Sequence, residues 1–487
     1  MWKLRQPQKT GKLGCRQRDN VEHEGYDGVH SNFHGELNNQ NGVNLFGKIL
    51  SSNNLNQAYL QVVRNKGAAG VDGMTYDQLL PHLKEHREEL LTKLHNGTYT
   101  PQPVLRVEIP KPDGGVRKLG IPTVIDRMIQ QAINQVLQPI FDPTFSDNSF
   151  GFRPKRSAHH AIIRAKSYYE QGYKYVVDID MKAYFDTVNH DKLMYYIEKK
   201  VQDKRVLHLI RQYLKSGILI NGLFEASDEG TPQGGNLSPL LSNIYLNEFD
   251  KLLAGRGHKF VRYADDCNIY VKSRRAGYRV MESSINYLER ELKLTVNREK
   301  SAVGSPLRRK FLGFCLLATR NGVKIRPHQK AKSTVKQKLK KITKRNRGKS
   351  IEVLFKQIKQ LMTGWINYYG TSLMKSFMND LNGWLKRRIR QYIWKQWKNP
   401  RTKCRNLIQL GIEKQKAYEW SNTRRGYWRI SASYILHRSL TDEKLAQLGY
   451  IDISKKYQLV LVTTLRLARS FCAFFKRSTA SRSSCSC

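Results

Sequence analysis

Acidic residues are scarce in this 487-residue chain: 40 Asp and Glu stand against 85 Lys and Arg, a formal net charge of +45. An excess of that size repels itself unless a polyanion neutralises it, and nucleic acid is the usual one. Long apolar runs are missing as well. No stretch of about 18 apolar residues is present to span a bilayer, and the N-terminus lacks the apolar core of a signal peptide. The most apolar stretch near the end, residues 457–475, is interrupted by Arg466 and Arg469. No membrane partner is therefore expected. Paired cysteines are absent too: the seven, at 15, 267, 315, 404, 472, 485 and 487, form no CxxC. That argues against a zinc ribbon and suits free thiols in a reducing, cytoplasmic setting. Apolar material itself is plentiful, at 40% hydrophobic and 10% aromatic residues, so the chain is not a disordered polycation, and its length implies two to four domains.

Residues 1–44 are polar and rich in Asn, Gly and His, and read as a mostly disordered leader. Helical periodicity begins near Leu45, with Leu55, Ala58, Tyr59, Val62 and Val63 on one face. Residues 104–121 form a predicted hairpin around the turn Pro112-Asp113-Gly114-Gly115, and helices are predicted at 125–140 and 157–170. The strand at 174–181 alternates: Val176, Asp178 and Asp180 share one face, Val177, Ile179 and Met181 the other. A second pair of strands, at 260–271, reverses at Asp265-Asp266. From Lys300 to Ile351 there are 17 Lys or Arg and no acid. Three helices with strongly basic outer faces are predicted beyond residue 328, which places a domain boundary near 320.

Three carboxylates at rigid positions in so basic a chain point to cation chemistry. A polymerase must orient a 3′ hydroxyl and stabilise extra negative charge on phosphorus, and two divalent ions roughly 3.5–4 Å apart can do both. Magnesium takes carboxylate oxygens, phosphates and water. Asp180 at a strand end and Asp265-Asp266 at a hairpin tip supply such oxygens. Buried together without a cation, they would destabilise the fold. An isolated Asp-Asp is ordinarily just a turn. Between two apolar strands, and 85 residues after Asp180, that bland explanation loses ground. Asp178 and Asp186 remain rivals of Asp180.

Tyr263-Ala264-Asp265-Asp266 resembles the signature of reverse transcriptases, and Asp180-Met181-Lys182-Ala183-Tyr184-Phe185-Asp186 resembles their first palm block. Gly230-Thr231-Pro232-Gln233-Gly234-Gly235 follows in the order the family requires. Gly364-Trp365-Ile366-Asn367-Tyr368-Tyr369 and the segment 393–398 are similar to the thumb of group II intron proteins. The resemblance, spanning about 50–455, implies an α/β right-hand polymerase with fingers and palm over 45–320. An α-helical thumb (the maturase or X domain) follows over 321–397, then a small helical, basic DNA-binding domain over 398–458. Residues 459–487 match nothing in the family and are an atypical tail.

The resemblance also implies roles. Asp180, Asp265 and Asp266 hold two Mg²⁺ ions, with Mn²⁺ as a substitute. Lys111 and Arg117 grip the incoming triphosphate, Phe185 lies under the sugar and rejects ribonucleotides, Gln233 contacts the dNTP or base pair, and Lys300 protonates pyrophosphate. Arg387, Arg388, Arg390 and Lys395 are expected to contact nucleic acid. Partners are intron RNA, an RNA template with a DNA primer, target DNA and dNTPs; oligomeric state is not legible. The family's cysteine- and histidine-bearing endonuclease motifs are missing. The expected activity is copying of intron RNA into cDNA, with assistance to splicing and retrohoming. Two alternatives stay open: a splicing cofactor without polymerase activity, and a reverse transcriptase recruited to phage defence or CRISPR adaptation.

Overall fold

A computed structural model describes residues 44–110, 115–220, 223–225, 229–231 and 234–463. Of the expected site residues, Lys111 and Gln233 lie outside these, as does most of the leader and of the 459–487 tail. The chain divides into two compact units, the first ending at Gly304 and the second beginning at Ser305.

The first unit carries eight strands among its described residues: β1 (Val104–Pro110), β2 (Val116–Ile121), β3 (Tyr175–Ile179), β4 (Ile218–Ile220), β5 (Leu223–Glu225), β6 (Lys259–Tyr263), β7 (Asp266–Val271) and β8 (Ala302–Gly304). They make two four-stranded sheets, ordered β2-β1-β4-β5 and β6-β7-β3-β8. The second sheet is antiparallel throughout, with Val177 opposite Ile269 and Ile179 opposite Cys267. Alternation sends Val177, Ile179, Cys267 and Ile269 into the main core, which the helices Leu45–Leu50, Ser52–Asn65, Val124–Phe141, His190–Glu198, Lys204–Lys215 and Ser238–Gly255 complete. Thr123 starts the helix Val124–Phe141, its hydroxyl oxygen accepting from the Asp126 N–H at 3.1 Å. The hairpin at 104–121 and the helices expected at 125–140 and 157–170 are present, the latter two as Val124–Phe141 and Ala158–Glu170.

The second unit opens with the hairpin β9 (Phe314–Thr319) and β10 (Gly322–Pro327). The division falls ahead of residue 320 because this hairpin packs with the helices C-terminal to it. The Phe314 ring lies 5.3 and 4.9 Å from those of Tyr368 and Tyr369. The Tyr368 hydroxyl donates to the Leu312 carbonyl at 2.9 Å, and the Leu373 N–H to that of Ile325 at 2.8 Å. Three long helices come next, Gln329–Ile342, Ile351–Tyr369 and Lys375–Gln396, then short helices from Pro400 onward. One apolar core runs from Val335 through Leu385 and Trp394 to Leu436 and Tyr457. The expected boundary at 397/398 therefore has no counterpart in the packing: residues on both sides bury their apolar faces in the same core. No helix among the described residues is long and apolar enough to cross a membrane.

Candidate functional site

The site of the first unit forms where β3, the β6–β7 turn and two loops meet. One step beyond the last paired residues of β3 and β7, Ile179 and Cys267, stand Asp180 and Asp266. The Asp180 N–H donates to the Ser301 hydroxyl at 3.0 Å, and its carbonyl accepts from Asn297 at 2.8 Å. Lys300 is exposed on that same pinning segment. Asp265 is half-buried in the turn, after Ala264, whose φ of +57° is a left-handed conformation unusual for a residue with a Cβ. Burial holds the Asp265 carboxyl above the usual carboxylate range. The neighbouring Asp180 charge adds to this, and the Arg117 and Arg262 guanidiniums oppose it. Three expected residues, Asp180, Asp265 and Arg117, are thus brought within one electrostatic neighbourhood. Asp266 starts β7 with its side chain exposed. Of the rivals, Asp186 faces Arg106 at 3.8 Å, and Asp178 sits opposite Asn268, one strand pair further from the turn than Ile179.

Phe185 lines a small cavity of about 120 Å³ together with Arg106, Gly120, Asp186, Gly230 and Thr231. The loop beyond it is held close by backbone bonds. The Thr231 N–H donates to the Phe185 carbonyl at 2.6 Å, the Gly230 N–H to that of Val188 at 2.8 Å, and the His190 Nε2 lies 2.5 Å from the Gly230 carbonyl oxygen. At Gly234, with φ of +138°, a Cβ would come within 2.3 Å of the Gly120 carbonyl oxygen. Glycine is required there because two backbones touch.

A pair not anticipated from the sequence supports the turn from below. Arg262 of β6 and Asp250 of the helix Ser238–Gly255 are both 0% exposed. Arg262 Nε and Nη2 donate to the two Asp250 oxygens at 2.8 and 2.6 Å. Its Nη1 donates to Asn243 Oδ1 and to the Ala264 carbonyl, both at 3.0 Å. A buried guanidinium thereby grips the turn that presents Asp265. The available signal was weak: an Arg inside an apolar strand and an Asp inside an apolar helix, each needing a partner.

As to a metal, among the described residues no group of three or more His, Cys, Asp or Glu is gathered ready to hold one. The donor chemistry nevertheless fits a hard divalent cation. The Asp265 carboxyl lies beside Asp180, where burial and that like charge both penalise its ionisation, and a cation there would remove that penalty.

In the second unit the expected basic face is largely absorbed by packing. The helix Lys375–Gln396 is central, burying residues around most of its circumference, from Met378 and Leu385 to Lys386, Arg390 and Gln391. Arg390 is 5% exposed, donates to the Leu440 carbonyl at 3.0 Å and pairs with Asp442 at 3.5 Å. Its expected phosphate contact is corrected on that ground: its guanidinium serves the core. Arg388 donates to the Thr343 hydroxyl at 2.6 Å and to the Lys340 and Thr343 carbonyls at 3.2 and 3.1 Å, capping the helix Gln329–Ile342. Arg387 donates to the Trp428 carbonyl at 3.0 Å and lies over the Trp428 ring at 3.8 Å. Lys395 remains exposed, near the Tyr427 ring at 5.0 Å.

Comparison with known proteins finds matches over two stretches of the chain. Residues 109–316 match the family described as reverse transcriptase (RNA-dependent DNA polymerase), and residues 332–410 match the group II intron, maturase-specific domain. Protein YkfC of Escherichia coli K12 is 37% identical over 279 residues, covering 49% of this chain and 73% of YkfC. The group II intron-encoded protein LtrA of Lactococcus lactis is 38% identical over 247 residues, 50% of this chain but 40% of LtrA. Among solved structures, a Cas6-RT-Cas1–Cas2 complex aligns over 51% of this chain and 43% of its own at 24% identity, with a TM-score of 0.34 too low to carry an argument.

Proposed function

We propose, from the premise that this chain belongs to the group II intron reverse transcriptase and maturase family, a division of labour between its two units. The first copies RNA into DNA with two Mg²⁺ ions held by Asp180, Asp265 and Asp266; the second binds the intron RNA and the template–primer duplex. In this reading the β6-β7-β3-β8 sheet is the palm, the β2-β1-β4-β5 sheet belongs to the fingers, and the three long helices are the thumb. The observation that carries it is the Asp265 carboxyl, half-buried, beside the Asp180 charge and within the field of the Arg117 guanidinium, in a chain of net charge +45. Divalent cations bound there would supply the positive charge that activates a 3′ hydroxyl and offsets the charge developing on phosphorus.

The chain's own residues do the rest. Arg117, on β2 and exposed, offers a planar fork to triphosphate oxygens approaching the aspartates. Phe185, on the wall of its cavity beside Gly230, occupies the volume a 2′ hydroxyl would need. Ser301 and Asn297 hold the Asp180 backbone, and Arg262 holds that of the turn, so the carboxylates are set before substrate arrives. Lys300 stands on the segment that pins Asp180 and is proposed as the proton donor to pyrophosphate; Lys111 and Gln233 keep the roles that family resemblance assigns them. Target DNA, dNTPs, splicing assistance and retrohoming belong to the same proposal.

The test is primer extension on an RNA template. Asp265→Asn should abolish DNA synthesis in Mg²⁺ while RNA binding by the same preparation stays near normal. Extension at the wild-type rate would remove Asp265 from the site, and a wild-type protein that binds RNA but never extends a primer would leave only the splicing cofactor.

A further inference from the structure

Within the second unit, the helices Gln329–Ile342 and Lys375–Gln396 and the short helix Tyr427–Ile430 border a groove of about 570 Å³. Its walls include Lys336, Gln337, Lys340, Trp384, Gln391 and Trp428, and no carboxylate lines it. The volume lies in the range of small-molecule sites, roughly 300–1,000 Å³. Trp428 is 40% exposed, an unusual position for the largest apolar side chain. It is also held in place: the Arg387 guanidinium covers its ring at 3.8 Å and bonds its carbonyl at 3.0 Å. Across the groove, Lys336 and Arg388 each lie 5.3 Å from the centroid of the Trp384 ring. Arg388 is fixed by its three bonds to Lys340 and Thr343. The result is two indoles set by arginines, with the exposed Lys336, Lys340 and Gln337 beside them.

We propose that this groove captures one unpaired nucleotide of a single strand. Its base would stack on Trp428 and Trp384, its flanking phosphates would pair with Lys336 and Lys340, and its edge would meet the exposed amide of Gln337. Each feature answers a different part of that ligand. Indole faces stack any base, lysines neutralise phosphate, and amide side chains both donate and accept. A duplex keeps its bases stacked inward and would leave the indoles without a role. Because the arginines already orient the rings, little side-chain freedom is lost on binding. The inference deepens the proposed RNA-binding role of this unit and rests on it, but not on polymerase activity.

The experiment compares full-length wild-type protein with Trp428→Ala, Trp428→Phe and Lys336→Gln. The probes are a 12-nucleotide oligouridylate, its oligothymidylate counterpart and a 12-base-pair RNA duplex, at about 0.3 M salt to suppress non-specific phosphate contacts. Trp428→Ala should weaken oligouridylate binding roughly 5- to 100-fold, the weight of one base stack, with duplex binding within two-fold of wild type. Trp428→Phe should restore most of the loss. Lys336→Gln should reduce the log–log salt slope by about 0.7 for a single strand. Equal loss with oligothymidylate identifies a groove that accepts either strand, and a smaller loss identifies one that reads the ribose; both support the capture of an unpaired nucleotide. Equal loss on single strand and duplex, unchanged oligouridylate binding by Trp428→Ala, or displacement of the probe by an oligoglutamate peptide at equal concentration would overturn it. A wild-type protein that binds no RNA at all would instead refute the RNA-binding reading itself.

Discussion

Breaking the buried pair beneath the turn should separate folding from chemistry. Asp250→Asn keeps the volume but leaves the Arg262 guanidinium, at 0% exposure, without its anion. Removing one partner of a buried ion pair costs about 3–5 kcal/mol, because the remaining charge stays desolvated. With a urea dependence of about 2–3 kcal/mol per molar, the first unit should lose roughly 1–2 M in its unfolding midpoint. The double variant Asp250→Leu/Arg262→Met removes both charges, so most of that loss should be recovered. What it cannot restore is the hydrogen bonding of Asn243 Oδ1 and the Ala264 carbonyl, now without their 3.0 Å donor. It should therefore remain about 1–3 kcal/mol below wild type and be slow in primer extension, since the turn presenting Asp265 is no longer held. Tryptophan fluorescence reports chiefly on the second unit, where the described tryptophans, Trp365, Trp384, Trp394, Trp397, Trp420 and Trp428, lie. Cys267 is the suitable reporter. It is buried in β7 opposite Arg262, and burial pushes its thiol pKa up, so alkylation of its peptide by mass spectrometry should follow the opening of this sheet. The reasoning is refuted if Asp250→Asn shifts the Cys267 protection midpoint by less than about 0.3 M, or if the double variant extends primers at the wild-type rate.

The remaining predictions use the same logic. Burial and Asp180 disfavour the ionised Asp265, so this group favours the fold only below its unfolded pKa and that contribution is lost as pH rises through its raised folded value. Asp265→Asn should accordingly raise the unfolding midpoint of the first unit at pH 7 without divalent ions, and the stabilisation of wild type by added Mg²⁺ should shrink; a lower midpoint would contradict the electrostatic account. Phe185→Ala should lower the dNTP-over-rNTP preference roughly 10- to 100-fold with dNTP use retained, an unchanged ratio counting against its place beneath the sugar. In the second unit, desolvation opposes ionisation of Asp452, but the Lys455 N–H, Lys386 and Asn382 outweigh it and bring its pKa down to about 2. A depressed carboxylate stabilises the fold above its unfolded pKa and stops doing so as pH falls through its folded one. The unit should therefore lose on the order of 2 kcal/mol between about pH 4 and pH 2, read by its tryptophans, and Asp452→Asn should flatten that loss.

Much of the first unit was legible because its signals are local. Strand alternation in 174–181 and 260–271 and the turn between the latter pair depend on neighbours one or two residues away. The pattern that sent Val177 and Ile179 inward and left Asp180 at a strand end needs no knowledge of what packs against it. The three long helices of the second unit were equally readable from apolar spacing. The arginines of Lys375–Gln396 were not. A helical pattern tells which residues share a face but not how many faces will be covered, and this helix lies among others that bury most of its circumference. Arg390 met Asp442 and the Leu440 carbonyl, 50 residues downstream in the latter case, rather than solvent.

What composition and motif order determined alone was the class of chemistry: a polycation with carboxylates at a strand end and a turn, followed by a basic helical region. Those features come from charge count and short-range periodicity, which do not depend on the path of the chain. What tertiary structure decided was which charges face a ligand and which are used up internally. Arg262 in its apolar strand and Asp250 in its apolar helix show no partner until β6 and the helix Ser238–Gly255 meet and exclude water from both. Trp384 and Trp428, 44 positions apart, look like core residues until their helices leave them lining one groove. An ionisable or aromatic side chain acquires its role from desolvation and from neighbours distant in sequence, and both exist only once the chain has folded.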